Sequence, residues 1–186
     1  VGLAIIGSTG AIGKTHIEAI YGLSSCRLVG LNARRLGPLC QQASKLGVHA
    51  YPTLDHVLNE SEVHAVIIAT PDHRHKKITI EAMKSGKAVY CEKPMVQNFT
   101  EGHEIIKVYN KTGSVCQIGS QSMSSLGNQK AKELYEDGAI GELVMLDMYN
   151  DRYSSEGAWQ YPIPPDANPD TIDFDFFIGD APKVPY

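Results

Sequence analysis

The sequence lacks the features of several large classes of protein. Its 186 residues contain no apolar run near the ~20 residues that a membrane helix requires. The formal net charge of −4, without a long run of either sign, is also unlike the basic surface of proteins that bind nucleic acid. We therefore predict neither a membrane span nor a nucleic-acid partner.

Clusters of cysteine and of metal ligands are missing as well. The four cysteines are scattered and form no C-x-x-C pair: Cys26, Cys40, Cys91 and Cys116. This pattern predicts reduced cysteines in a cytoplasmic protein rather than a disulfide framework or a zinc site. His73 and His75 form an H-x-H pair without a cluster of carboxylates or cysteines nearby, so we predict no metal. The chain opens at Val1 within a strand pattern, so its natural start is expected to be trimmed, which leaves export open.

Short apolar runs alternate with amphipathic segments over the first 120 or so residues. The apolar runs, which predict strands, cover residues 3–6, 27–31, 63–69, 88–91 and 115–118. The segments between them, which predict helices, cover residues 14–21, 38–46, 53–59, 76–84 and 100–110. Apolar strands alternating with helices predict an α/β fold, a doubly wound parallel sheet with a ligand crevice beyond the carboxyl ends of its strands.

The pattern changes after residue 120. Residues 128–137 predict a charged helix, and residues 143–149 alternate like a strand with one exposed face. Turns and prolines dominate from residue 151 onward. We therefore predict one domain over 1–120 and an incomplete α+β domain over 121–186, and we expect the chain to be a fragment of a longer protein.

A glycine-rich turn from Gly7 to Gly13 separates the first predicted strand from the first predicted helix. Glycine permits a tight turn and a close approach of the backbone to a pyrophosphate, which then lies at the positive helix start. The G-x-x-G-x-x-G spacing is one residue longer than the usual G-x-G-x-x-G. A loop without a ligand is the alternative, but the position after the first strand favours a dinucleotide site.

The end of the second predicted strand bears on which dinucleotide is bound. NAD sites usually place an acidic residue there, whereas the 2′-phosphate of NADP favours arginine. Here Ala33 is followed by Arg34 and Arg35, with no acid in the run. Arg34 could bind a phosphate through two hydrogen bonds, so we predict NADP rather than NAD. Two arginines on a solvated loop are the alternative.

Two further strand ends point toward the same crevice. One carries Thr70 and Pro71, and the other carries Glu92 and Lys93. In isolation Lys93 would be an ordinary surface lysine. At the carboxyl end of a strand in this architecture, it becomes a candidate to bind or protonate a reacting oxygen.

These segments together resemble the Gfo/Idh/MocA oxidoreductases, which act mostly on sugars and cyclitols. The resemblance rests on the glycine turn with its following histidine, His16, on a Thr-Pro strand end, on a Glu-Lys-Pro strand end, and on the tail around residues 173–186. It implies a Rossmann NAD(P)-binding domain over 1–120 and the start of a substrate and oligomerisation domain over 121–186. The family's second catalytic group would then lie beyond residue 186.

The resemblance also implies roles for individual residues. Lys93 would be the catalytic lysine, orienting the substrate hydroxyl and stabilising the developing alkoxide. Arg34 would bind the adenosine ribose end, and Glu92 would lie by the nicotinamide ribose. The other residues implied to bind the cofactor are Gly7, Ser8, Thr9, Gly10, Ala11, Ile12, Thr70, Pro71, His75 and Gln121, with Lys93 counted among them.

The sequence is compatible with three functions. The first is an NAD(P)-dependent oxidoreductase that transfers hydride between nicotinamide and a sugar-like or cyclitol-like alcohol or ketone, and that forms a homo-oligomer at full length. The second is a non-catalytic sensor of dinucleotides or sugars on the same fold. Lys93 favours the enzyme, because a sensor does not need an ammonium group there. The third, a reductase of another Rossmann family, does not explain the Glu-Lys-Pro segment.

Overall fold

The structure, a computed structural model, describes residues 1–147, 149, 153, 155, 157 and 162–186. The chain divides into two compact units, Val1–Ser120 and Gln121–Tyr186. Within the described ranges, no helix combines the length and the apolar character that crossing a membrane requires.

The first unit is built on a six-stranded parallel sheet. Its strands are β1 (Gly2–Ile6), β2 (Arg27–Asn32), β3 (His49–Tyr51), β4 (Ala65–Ile68), β5 (Ala88–Glu92) and β6 (Cys116–Gly119). The spatial order is β3-β2-β1-β4-β5-β6, so the chain crosses from one half of the sheet to the other between β3 and β4. This order confirms the predicted doubly wound sheet and places its switch point between β1 and β4.

Five helices cover the two faces of this sheet. They are α1 (Ala11–Tyr21), α2 (Leu36–Leu46), α3 (Leu54–Asn59), α4 (His75–Lys84) and α5 (Phe99–Thr112). Side chains of a strand alternate between faces, and Ile5 of β1 accordingly packs with Ile17 of α1 and Leu39 of α2. Its neighbour Ile6 belongs to the opposite core, together with side chains of α3, α4 and α5 such as Met83. Burial on both faces explains why the strands read as continuous apolar runs.

Capping residues in the sequence determine several helix ends, which lie at the predicted positions. The Thr53 hydroxyl accepts a hydrogen bond from the backbone N–H of His56 and so caps α3. Gly47 ends α2 with a left-handed φ of 67°. Helix α2 begins at Leu36, two residues before the predicted start, since Pro38 is tolerated in a first turn. Strand β3 was not predicted, because three residues are too short to show a period.

The second unit contains a 3-10 turn (Gln121–Ser124) and two helices, α6 (Leu126–Glu136) and α7 (Phe174–Ile178). Helix α6 lies where residues 128–137 predicted one. The predicted strand over 143–149 is wrong for residues 143–147 and 149, while residue 148 lies outside the described residues. The described part of this unit offers no other strand to pair with, and a lone strand leaves its backbone hydrogen-bonding groups unsatisfied.

Candidate functional site

The glycine turn lies between the end of β1 and the start of α1, at the switch point of the sheet. Gly7 has a φ of 91°, and a side chain there would overlap the Ala69 carbonyl oxygen. A Cβ at Gly13 would lie 2.5 Å from the Gly7 carbonyl oxygen. The protein itself therefore excludes side chains at both positions. A Cβ at Gly10 would meet only the Gly7 oxygen at 3.5 Å, an ordinary contact, so Gly10 faces open space.

The amino-terminal end of α1 suits an anion. Its N-cap residue, Gly10, supplies no side-chain hydrogen bond, and the first turn contains no acidic residue. Ala11 and Ile12 are exposed there. The first N–H groups of a helix have no intrahelical acceptor, and the helix dipole is positive at this end. The turn and the helix start together therefore fit the pyrophosphate of a dinucleotide.

A short chain of hydrogen bonds connects the glycine turn to the neighbouring strands and to α2. The N–H groups of Gly7 and Ser8 donate to the Asn32 carbonyl oxygen at 2.8 and 3.2 Å. The Asn32 side chain donates to the Tyr51 carbonyl oxygen at 2.8 Å, and Gln42 donates to the Ser8 carbonyl oxygen at 3.0 Å. Ser8 is fully buried, and its hydroxyl has no hydrogen-bond partner among the described residues, so its side chain does not face the open crevice. Sequence reasoning missed the roles of Asn32 and Gln42, because both residues lie far from the turn in the chain.

Basic residues follow the end of β2. Arg34 and Arg35 are exposed, and Arg35 is the N-cap residue of α2, whereas Ala33 is buried. An open groove of about 650 Å³ runs between α1 and α2 beside them. The groove is lined by Thr9 of the glycine turn together with Lys14, Glu18, Arg35 and Lys45, among others. Three cations and one carboxylate thus surround the region where the sequence predicts the adenosine end.

Glu92, at the end of β5, is tied to α1. Its carboxylate lies 2.8 Å from His16 Nε2, with side-chain exposures of 9% for Glu92 and 19% for His16. The His16 ring also meets the edge of Tyr90, with 5.4 Å between ring centroids. The sequence indicated His16 only as part of a motif, and no local pattern indicated its contact with Glu92, 76 residues away.

His75 lies behind the predicted crevice wall, not on it. Only 1% of the residue is exposed. Its Nδ1 lies 2.7 Å from the Pro94 carbonyl oxygen, and its Nε2 lies 2.8 Å from the Thr70 carbonyl oxygen. The Thr70 hydroxyl is buried and without a partner in the part of the chain that the structure describes. Pro71 directly precedes the 3-10 turn Asp72–Arg74 that leads into α4.

Lys93 is exposed immediately beyond β5. Within the described residues it forms neither a hydrogen bond nor an ion pair, so its ammonium group is available to a ligand. Gln121, the last predicted cofactor contact, begins the 3-10 turn of the second unit and is exposed. Its predicted role stays a prediction.

Neither the possible metal ligands nor the buried thiols of the described residues indicate a second reactive site. In the described ranges, no three or more His, Cys, Asp or Glu side chains form a group that could hold a metal ion. All four cysteines are unpaired. Burial raises the pKa of Cys91 to about 11 and also raises the pKa of Cys116, so neither thiol ionises readily as a nucleophile requires.

Comparison with known proteins agrees with this geometry. Residues 1–120 match the family described as "Oxidoreductase family, NAD-binding Rossmann fold". Inositol 2-dehydrogenase of Azotobacter vinelandii is 29% identical over 148 residues, which cover 77% of this chain and 44% of that protein. The crystal structure of myo-inositol 2-dehydrogenase from Lactobacillus plantarum is 29% identical with a TM-score of 0.68, covering 77% of this chain and 43% of that one.

A second similar structure contains a cofactor. The GenD2 protein of gentamicin A biosynthesis, solved in complex with NAD, is 25% identical with a TM-score of 0.68 and covers 75% of this chain and 40% of its own. The chain spans less than half the length of each of these relatives. The sheet, the glycine turn and the match over residues 1–120 lead to one conclusion. The chain belongs to the Gfo/Idh/MocA oxidoreductase family, with its NAD-binding Rossmann fold.

Proposed function

We propose that this chain binds NADP in preference to NAD and serves a dehydrogenase that acts on a sugar or cyclitol alcohol. The observation that carries the proposal is the uncapped start of α1, where Gly10 faces open space at the switch point of the sheet. A pyrophosphate there would accept hydrogen bonds from free backbone N–H groups and would interact favourably with the helix dipole. Gly7, Ala11 and Ile12 complete this cradle.

The preference for NADP rests on charge at the end of β2. An acidic residue that would accept the ribose hydroxyls, and repel a 2′-phosphate, is absent between Leu31 and Arg35. Arg34 can bind the phosphate through two parallel N–H groups. Lys14 and Arg35, on the adjoining groove, would add to the positive potential, and Thr9 would supply a hydroxyl.

The chemistry would take place at the ends of β4 and β5. When bound, the nicotinamide ring supplies or accepts the hydride. The Lys93 ammonium would orient the substrate hydroxyl and stabilise negative charge as it develops on that oxygen. Thr70, Pro71 and Glu92 shape the crevice beside it. The relatives named inositol 2-dehydrogenase and myo-inositol 2-dehydrogenase support this substrate class. The family resemblance also implies a homo-oligomer at full length, and the scattered cysteines favour a cytoplasmic location.

Titration with NADPH and with NADH, followed by the fluorescence of the reduced nicotinamide, tests the cofactor preference. We expect NADPH to bind at least about tenfold more tightly, and Arg34→Ala to remove most of that difference, since tenfold corresponds to about 1.4 kcal/mol. Lys111→Ala, which removes an exposed cation from the last turn of α5, is the matched control and should leave the ratio unchanged. Equal affinities for NADH and NADPH would contradict the proposed preference for NADP, but not the proposed dinucleotide site.

Substitution of Lys93 separates an enzyme from a sensor. In the full natural chain, Lys93→Met should lower the rate of hydride transfer from a cyclitol to the oxidised nicotinamide by about 100-fold, because a preorganised charge at the reacting oxygen is lost. The affinity for NADPH should change less than about threefold. A protein that binds NADPH but oxidises no polyol of a broad panel, with or without this substitution, would instead be the sensor.

A further inference from the structure

His75 joins two loops that the sheet itself does not connect. Pairing between β4 and β5 ends where Ile68 lies opposite Cys91. Beyond that point each strand runs into its own loop, one containing Thr70 and the other containing Pro94. The imidazole lies between them, 2.8 Å from the Thr70 carbonyl oxygen and 2.7 Å from the Pro94 carbonyl oxygen.

The surroundings of His75 make this link rigid. The residue is 1% exposed and begins α4, whose next two turns are anchored in the core by Ile78 and Met83. Water therefore cannot easily replace the ring as a donor to either carbonyl. Both partners are carbonyl oxygens, which only accept hydrogen bonds, so the ring holds the two loops together when both of its nitrogens carry a proton, as in an imidazolium.

The link bears directly on Lys93. Pro94, whose carbonyl His75 holds, is the next residue in the chain, while the Lys93 side chain is exposed and bonded to no described residue. The backbone at residues 93 and 94 therefore sets the position of the Lys93 Cα and the direction of its Cα–Cβ bond, and with them the region that the ammonium can reach. Thr70 and Pro71, at the other end of the link, belong to the opposite wall of the proposed crevice.

We propose that His75 is a positioning residue: it sets the distance between the crevice wall at Thr70 and the ammonium group of Lys93, without touching the substrate or the cofactor. The proposal rests on the role of Lys93 in the proposed function. It assigns His75 a part in the turnover rate, whereas the sequence predicted a direct contact with the cofactor.

Hydrogen exchange of the chain tests the link itself. His75→Phe fills the same volume but donates no hydrogen bond. We expect amide exchange to accelerate by about tenfold at Arg74, whose N–H donates to the Pro71 carbonyl, and at Gln97, whose N–H donates to Glu101, and far less in β1 and β2. The two loops would open locally in this variant. Ile78→Ala, which removes a buried side chain from the same helix, is the control and should accelerate exchange throughout the sheet. If amide exchange in His75→Phe accelerated uniformly across the sheet, His75 would only stabilise the fold as a whole, and the proposal would be overturned.

Kinetics of the full natural chain test the consequence. His75→Phe should lower kcat by about 10- to 100-fold, since a displacement near 1 Å at a reacting group has effects of this size. The Kd for NADPH should stay within about threefold, and the KM for the polyol should change little. His75→Gln, whose amide can still donate to one carbonyl, should recover part of the rate. This variant also replaces His75→Phe in the kinetic test if the phenylalanine variant does not fold.

The two proposals fail in different ways. Local loop exchange with an unchanged kcat would overturn the positioning role while leaving the proposed function intact. If Lys93→Met retained full activity, the proposed role of Lys93 would fail, although the loops could still open in His75→Phe.

Discussion

The two sides of the proposed crevice are held in place by different means. On the pyrophosphate side, the shape comes from the backbone: Gly7 and Gly13 leave no room for a side chain, and the Asn32 carbonyl accepts the N–H groups of the turn. On the other side, the loops after β4 and β5 depend on two histidine side chains. His75 links both loops, and His16 ties Glu92 to α1.

This difference predicts different responses to substitution. A backbone cradle fails when atoms are added, because an added methyl group collides with main-chain atoms that cannot move aside. A loop held by side chains fails when atoms are removed, because buried donors and acceptors are left without partners. The first side should therefore be sensitive to alanine in place of glycine, and the second to truncation of histidine or glutamate.

The largest effect is expected in the glycine turn. Gly7→Ala should destabilise the chain by about 3 kcal/mol or more, because it combines a positive φ with overlap against the Ala69 carbonyl. Gly13→Ala should also destabilise it, since the methyl group would meet the Gly7 oxygen at 2.5 Å, outweighing a helix-propensity gain of about 1 kcal/mol. Urea unfolding followed by circular dichroism measures both.

Gly10→Ala is the matched control within the same turn. Its methyl group would enter open space, so stability should stay within about 0.5 kcal/mol of the parent chain. If a dinucleotide binds against Gly10, however, affinity for NADPH should fall by about tenfold or more. An unchanged NADPH affinity in this variant would argue against the proposed cradle.

An intermediate effect is expected for the link between Glu92 and His16. Replacing either residue by alanine should cost about 2 kcal/mol, because a largely buried hydrogen bond to a charged group is lost. The double variant should cost less than the sum of the two. The Arg27–Glu62 pair, at 3.0 Å but with both side chains more than half exposed, is the control and should show a coupling below about 1 kcal/mol. Additive losses for the buried pair would mean that the 2.8 Å contact contributes no coupling.

The smallest effect concerns the start of α5, which follows the Lys93 loop. Glu101 accepts hydrogen bonds from the N–H groups of Gln97 and Asn98 at 3.1 and 3.4 Å. Burial alone would raise the pKa of Glu101, but these hydrogen bonds and the Lys76 ammonium hold it below its ordinary value. Glu101→Ala should therefore destabilise the chain by about 1 kcal/mol at neutral pH.

The pH dependence of this variant gives a sharper test. Because the folded pKa of Glu101 is depressed, its stabilising contribution is present at neutral pH and is lost as pH falls through that folded value. The difference between parent and Glu101→Ala should shrink in urea titrations well below pH 4. A difference that stays constant across this range would attribute the effect to packing instead of the carboxylate.

Sequence reasoning succeeded where the determinant is local. Short patterns account for the glycine turn, the Thr53 cap, the end of α2 at Gly47 and the apolar strands. The alternation of strands and helices predicted the doubly wound parallel sheet, but not the order of its strands. It failed for links between segments far apart in the chain. The contact of His16 with Glu92 spans 76 residues, and no local pattern encodes it.

The strand predicted over 143–149 failed for a related reason. Alternating apolar and polar residues indicate only that a strand is possible. A strand also needs a neighbouring strand whose backbone N–H and C=O groups can pair with its own. Strand β3 is the opposite case. Its three residues are too few to indicate a strand in the sequence, but they form one because they pair with β2.

The edge strand β3 carries a consequence for protein engineering. Its Tyr51 carbonyl holds the Asn32 side chain, whose own carbonyl holds the N–H groups of Gly7 and Ser8. The glycine motif is therefore not a portable peptide. A designer who transplants it into another sheet must also transfer Asn32 and a third strand with a carbonyl acceptor at the position of Tyr51. Without them, the grafted turn would lose the hydrogen bonds that hold it in place.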